Sequence, residues 1–197
     1  MGFLKWLKRA ALDVLGDVKV YRFPFFVVYD PTTFRVKGSH TREAMEALRP
    51  GDVLHRKYVN YMDGYLIPGK FSHSGIYVGG GKVIHAMAEG VSEIDVIDFL
   101  RCDGFAIRRQ DDPALAEKAV ERARSWIGRP YDFDFLDDDS GEKLSLYCHE
   151  LAARAYAELE IPRLPSRIMG IRFSPRYLAE SFIKSGKFHT VMEICPG

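Results

Sequence analysis

The chain has 197 residues, 47% of them hydrophobic and 28% charged, with a formal net charge of +1. That is enough length for one domain with a sizeable core, and the near-neutral balance leaves no electrostatic footprint for nucleic acid. Three widely spaced cysteines, Cys102, Cys148 and Cys195, form no CxxC or CxxH pattern, which argues against a disulfide framework or a structural zinc site and favours a reducing compartment.

Residues 3–15 predict a helix with Phe3, Leu7, Ala10 and Val14 on one face and Lys5, Lys8 and Arg9 opposite. A stripe of this kind normally packs on its own domain; peripheral membrane contact is the alternative for a basic amphipathic helix. The longest uncharged apolar run here, Ala10 to Leu12, is too short for a signal peptide, so a cytoplasmic protein is expected. Residues 18–36 read as β structure turning at Asp30-Pro31. A short helix over 41–48 stops at Pro50-Gly51, and a strand starts at Asp52 to His55.

Phe71 to Val78 and Lys82 to Met87 predict a hairpin around Gly79, Gly80 and Gly81. A three-residue loop with glycine in the left-handed region is a common hairpin connection. It sets Val78 opposite Lys82 and His85 opposite Gly75, so that His73 and His85 share a face as diagonal neighbours about 7–8 Å apart at Cα. A register one residue different would separate them. Two histidines on one face suit acid–base chemistry. Zinc is the weaker reading, because no third ligand stands at metal spacing and His149 should point elsewhere.

A helix at about 95–101 and a strand at 104–109 follow. Asp112-Pro113 caps a helix running to Ile127, ended by Gly128 and Pro130. The run from Arg129 to Lys143 is acidic, but neither Asp132 nor Asp137 opens a calcium loop with a correct twelfth position, so it reads as a solvated loop needing no metal. Within and beside it, Tyr131 and Tyr147 are candidate oxyanion donors or substrate contacts.

Residues 148–159 predict a helix burying Leu151, Ala152, Ala155, Tyr156 and Leu159, a stripe that Cys148 extends by one turn. A cysteine at a helix N-terminus feels the dipole and unpaired N–H groups, which lower a thiol pKa from about 8.5 toward about 3.5–7.5. Its own N–H is a candidate oxyanion donor. Ser174-Pro175 is expected to cap a further helix reaching about Lys184, before a last strand near 187–194. Strands with segregated helices make the class α+β.

Five segments together resemble the permuted NlpC-type amidases, the YaeF/YiiX-like branch of the papain superfamily: Leu48-Arg-Pro-Gly-Asp-Val-Leu54, Phe71-Ser-His-Ser-Gly-Ile-Tyr77, Val83-Ile-His-Ala86, Gly128-Arg-Pro-Tyr-Asp132 and Tyr147-Cys-His-Glu-Leu151. The resemblance implies a circularly permuted papain-like fold, an antiparallel sheet on a central cysteine-bearing helix, with residues 1–38 as an N-terminal extension and 39–197 as the catalytic domain. It implies Cys148 as nucleophile, His73 as general base and His85 in the orienting position, acting on an amide or peptide bond without a cofactor. Histidine at the third position, where many relatives carry a carboxylate, is similar instead to the lecithin:retinol acyltransferase-like group, which also matches the 12-residue His73–His85 spacing. That second likeness implies lipid acyl esters as the alternative substrate, and a non-catalytic binding module of the same fold is a third reading.

Overall fold

Cys148–Ala155 is buried on almost every side, which makes it the centre of the architecture. The computed structural model describes residues 6–8, 18–22, 26–29, 34–61, 67–133, 145–168 and 171–195. In chain order the elements are β1 (Val18–Arg22), β2 (Phe26–Tyr29), α1 (Gly38–Ala47), β3 (Val53–Lys57), β4 (His73–Gly79), β5 (Lys82–Met87), β6 (Gly90–Asp95), α2 (Val96–Phe99), β7 (Gly104–Arg109), α3 (Pro113–Ser125), α4 (Cys148–Ala155), β8 (Leu164–Ile168), β9 (Ile171–Arg176), α5 (Ala179–Lys184) and β10 (His189–Ile194). Six strands form an antiparallel sheet in the order β10-β7-β3-β4-β5-β6, and β1-β2 and β8-β9 are separate two-stranded ribbons. This is an α+β arrangement with the expected antiparallel sheet and central cysteine-bearing helix.

Side-chain alternation divides the sheet into two faces. Val53, Ile76, Val78, Ile84 and Ala86 pack with α3, α4 and α5, through Ala119, Ala123, Leu151, Ala155 and Phe182. Leu54, Val83, Phe105 and Ile107 pack on the other face against Ala44 of α1 and Val96 and Phe99 of α2. The buried stripe expected of α4 is observed at Cys148, Leu151, Ala152, Ala155 and Tyr156, although the helix ends at Ala155, earlier than the sequence predicts.

Two of the recognised segments act as braces. Asp52, itself buried, takes Nε and Nη2 of Arg109 on its two carboxylate oxygens at 2.8 and 2.7 Å, and accepts the Arg49 N–H. Gly51 turns with φ +94°, and a Cβ there would lie 2.6 Å from Ala116 Cβ of α3, so the Pro-Gly-Asp turn brings helix and sheet into contact as only glycine allows. The Gly128-Arg-Pro-Tyr-Asp segment links β6 to the lead-in of α4. Val91 N–H donates to the Arg129 carbonyl, Gly128 N–H to Val91, Leu146 N–H to Pro130, and Asp132 N–H to Leu146.

One expectation is corrected and others fall outside the described residues. β1 and β2 pair antiparallel with Val18 opposite Tyr29, and the turn expected at Asp30-Pro31 lies outside the described residues. Ser174-Pro175 caps no helix. Both residues lie in β9, on a two-stranded ribbon whose edges tolerate proline, and the helix starts at Ala179, where Ser181 Oγ accepts the Leu178 N–H. Helix 3–15 is described only at residues 6–8, which are helical, and most of the acidic run, residues 134–144, lies outside the described residues. Among the described residues, no helix is long and apolar enough to cross a membrane.

Candidate active site

The histidine hairpin has the predicted register by an unpredicted route. Gly79 pairs with Lys82, leaving a two-residue loop at Gly80-Gly81, and a bulge between Tyr77 and Gly79 restores the alignment that such a loop alone would shift. All three glycines have positive φ, +84°, +61° and +74°. Gly75 therefore faces His85, and His73 Nε2 meets His85 Nδ1 at 3.0 Å with the rings nearly perpendicular. Phe99 of α2 lies against both imidazoles, its ring centroid 5.7 Å from His73 and 6.1 Å from His85.

Gly75 is the floor of this cluster. A Cβ there would stand 2.6 Å from Val83 Cγ1 and 3.1 Å from Phe99 Cε2. Gly75→Ala is accordingly expected to cost about 1–3 kcal/mol by overpacking and to displace Phe99 from the histidines. A lowered thermal midpoint together with a reduced kcat would be observed; an unchanged Tm would contradict this account of the packing.

Cys148 opens α4, with Tyr147 as N-cap. Pairing of β4 with β5 begins at Gly75–His85, so Ser72 and Ser74 lie past the end of that ladder. Cys148 Sγ reaches this opening in the sheet, 4.0 Å from the Ser72 carbonyl and within the influence of the Ser74 N–H, that is, against the backbone on either side of His73. The expected lowering of the thiol pKa is not found. Burial pushes Cys148 up to about 11, outweighing the N–H groups of Ser74, His149 and Cys148 itself and the positive charge of Arg56. Burial likewise holds the imidazoles neutral: His73 lies well below its usual 6.5, helped by Arg56 and His85, and His85 falls to about 3, helped by Arg56.

A second chain of polar side chains was not legible in the sequence. Ser74 Oγ lies 2.7 Å from His55 Nδ1 and 2.5 Å from His149 Nδ1, tying β3, β4 and α4 together on the face opposite His73. A hydroxyl has one proton to donate, so a chain in which Ser74 accepts from one ring and donates to the other puts the two rings in opposite tautomers. Burial holds both well below 6.5, His149 at about 3. His149 thus points away from the His73–His85 pair, as expected, and joins the cysteine helix to the histidine strand.

Tyr147 is buried and its hydroxyl accepts the Tyr177 N–H at 2.8 Å, linking the start of α4 to the approach to α5. Tyr131 is half-buried, bridges to Leu146 and packs edge-on against Phe133. Cys102 is buried, its Sγ 3.3 Å from the Gly104 carbonyl, whereas Cys195 is exposed; all three cysteines are free. Among the described residues, no group of three His, Cys, Asp or Glu is arranged to hold a metal ion.

The sequence model of the permuted papain-like amidase enzyme family, YaeF/YiiX, C92, matches residues 47–191, a span that contains both histidines, the opened ladder and the cysteine helix. No curated protein and no solved structure matches the chain. With about three quarters of its length under that match, and a cysteine-opened central helix set against a histidine-bearing antiparallel sheet, the chain belongs to the permuted papain-like amidase family YaeF/YiiX.

Proposed function

We propose that the protein is a cysteine hydrolase that transfers the acyl group of an amide or peptide bond to Cys148, with His73 as general base and His85 orienting it. The observation that carries this reading is the 3.0 Å His73 Nε2–His85 Nδ1 contact on a strand whose flanking backbone receives Cys148 Sγ. The proposed roles require one pair of tautomers. For His73 to accept a proton at Nδ1 its Nε2 must carry one, and that N–H donates to the lone pair on His85 Nδ1.

The steps then balance. The thiol proton of Cys148 passes to His73 Nδ1 as sulfur bonds to the carbonyl carbon. The Cys148 N–H stabilises the oxyanion, with Tyr131 and Tyr147 as candidate further contacts. The imidazolium protonates the leaving nitrogen as the C–N bond breaks, leaving a thioester. Water, deprotonated by His73, releases the acid and restores the thiol. Because His85 is a neutral imidazole rather than a carboxylate, it orients the base without adding negative charge. The test is intact-protein mass spectrometry after mixing with paired acyl anilides and acyl esters, followed by peptide mapping. An acyl adduct on Cys148 from the anilide is expected; no adduct from either substrate would refute the reading.

A second reading, transfer from lipid acyl esters at a membrane surface, is favoured by His85 in the third position and by Trp6 and Leu7, which are exposed on the helical residues 6–8. Adducts from esters alone, with flotation on liposomes, would select it.

A further inference from the structure

Arg56 is a charged residue in the wrong place for a bystander. It pairs across the sheet with His73, is only 5% exposed, and its guanidinium carbon stands 4.7 Å from the Phe99 ring centroid and 5.3 Å from that of Tyr58. Nη1 donates to the Phe99 carbonyl at 3.2 Å, while Nε is enclosed without a partner. Among the described residues, no carboxylate neutralises it. Of the buried acids, Asp52 pairs with Arg109, Glu150 with Arg154, and Asp103 accepts the N–H groups of Arg35 and Val59. A buried cation without a counter-ion is costly. Stacking on two rings offsets part of that cost and fixes the guanidinium beside the ring that both histidines share.

The titratable groups that feel its charge are His73 on β4, His85 on β5, Cys148 on α4 and Cys102 ahead of β7; Tyr58 stacks on it, while His55 and His149 act on His73 and Asp103 on Cys102. Of the groups that touch Phe99, Arg56 is the one with a permanent charge, since a guanidinium does not deprotonate in proteins.

We propose that Arg56 is a positioning residue that poises the site electrostatically: paired with His73 across the sheet and stacked on the Phe99 ring that both histidines share, it fixes a positive charge beside the histidine pair and the sheet opening that receives Cys148 Sγ. The inference rests on the proposed roles of Cys148 and His73. It adds a charge that the histidine pair, neutral at rest, does not itself supply.

The experiment compares wild type with Arg56→Met, Arg56→Gln and Arg56→Lys. It reads the rate of Cys148 alkylation by iodoacetamide at a fixed pH near 9, where the protein is folded. Below the thiol pKa the alkylation rate tracks the thiolate fraction, so a rise of about one unit appears as roughly tenfold slower alkylation. Removing a cation raises every neighbouring pKa. Arg56→Met and Arg56→Gln are therefore expected to slow alkylation about tenfold, with Arg56→Lys restoring the rate. A merely structural role gives a different signature. Water entering a loosened site lowers the thiol pKa, so faster alkylation, like an unchanged rate, overturns the proposal.

These alkylation rates need no turnover. Their failure is thus distinct from a failure to form the acyl-enzyme, which would overturn the proposed reaction instead. A substrate arm completes the test. Loss of kcat with Arg56→Gln is expected to be equal on neutral acyl anilides and on anilides bearing a carboxylate. A loss confined to the acidic anilides would make Arg56 a substrate anchor and overturn its role as a charge-setting residue.

Discussion

Alanine at Cys148 is expected to abolish acylation, alanine at His73 to lower kcat by about 10²–10⁴-fold, and alanine at His85 to lower it by roughly 10²-fold. The order follows from the role proposed for each group. Cys148 supplies the electron pair that becomes the S–C bond, and no neighbour replaces it. His73 moves the proton in both half-reactions. His85, 3.0 Å from His73 Nε2, is proposed to accept its proton in a hydrogen bond and hold the ring turned for reaction. Removing it frees the ring to rotate without removing the base. The same logic predicts non-additivity: once His73 is alanine, His85→Ala should have almost no further effect on kcat. Steady-state kinetics on the two single variants and the double variant measure this. A loss in His85→Ala equal to that of Cys148→Ala, or full additivity in the double variant, would show that His85 touches the reaction directly.

The cysteine helix and the histidine hairpin were readable from the sequence because each is set by short-range rules: helical periodicity for α4, and glycine-directed reversal for β4 and β5. Even so, the reversal uses a two-residue loop with a compensating bulge at Val78-Gly79, and only the summed register was visible. What the sequence hid depends on long-range pairing. Arg56 reads as a solvated strand residue until β3 is aligned with β4. Alternation from Leu54 through Arg56 to Tyr58, extended past His55, was the signal available for placing it inside. His55, Ser74 and His149 come from three elements, and no spacing rule joins them. The thiol pKa failed for a related reason. A helix N-terminus lowers it locally, but the depth of Cys148 beneath the sheet opening, a tertiary property, raises it more. Strands β8 and β9 were obscured by Ser174-Pro175, a pair that starts helices often and here sits on a ribbon edge.

Mild acid should unfold this protein, because four buried histidines resist protonation in the folded state. His85 and His149 are held at about 3 against 6.5 for a free imidazole, and His55 and His73 are shifted in the same direction. The sign follows from which state binds protons. Above about pH 6.5 both states carry neutral rings and nothing is lost. Between 6.5 and the folded values the unfolded chain takes up protons that the folded protein excludes, so stability falls as pH falls. At pH 5, about 1.5 units below the free value, each of His85 and His149 costs ~2 kcal/mol. Those two alone remove a large part of a typical folding free energy of about 5–15 kcal/mol, and His55 and His73 add to the loss. Urea unfolding at pH 7.5, 6 and 5 should therefore show a steeply falling midpoint. Replacing His149 by glutamine, which keeps a polar partner for Ser74 and removes the titrating ring, should flatten the slope. A midpoint that stays constant from pH 7.5 to 5 would mean that these rings meet water, and with it the closed, neutral site on which the proton transfer from Cys148 to His73 depends would have to be abandoned.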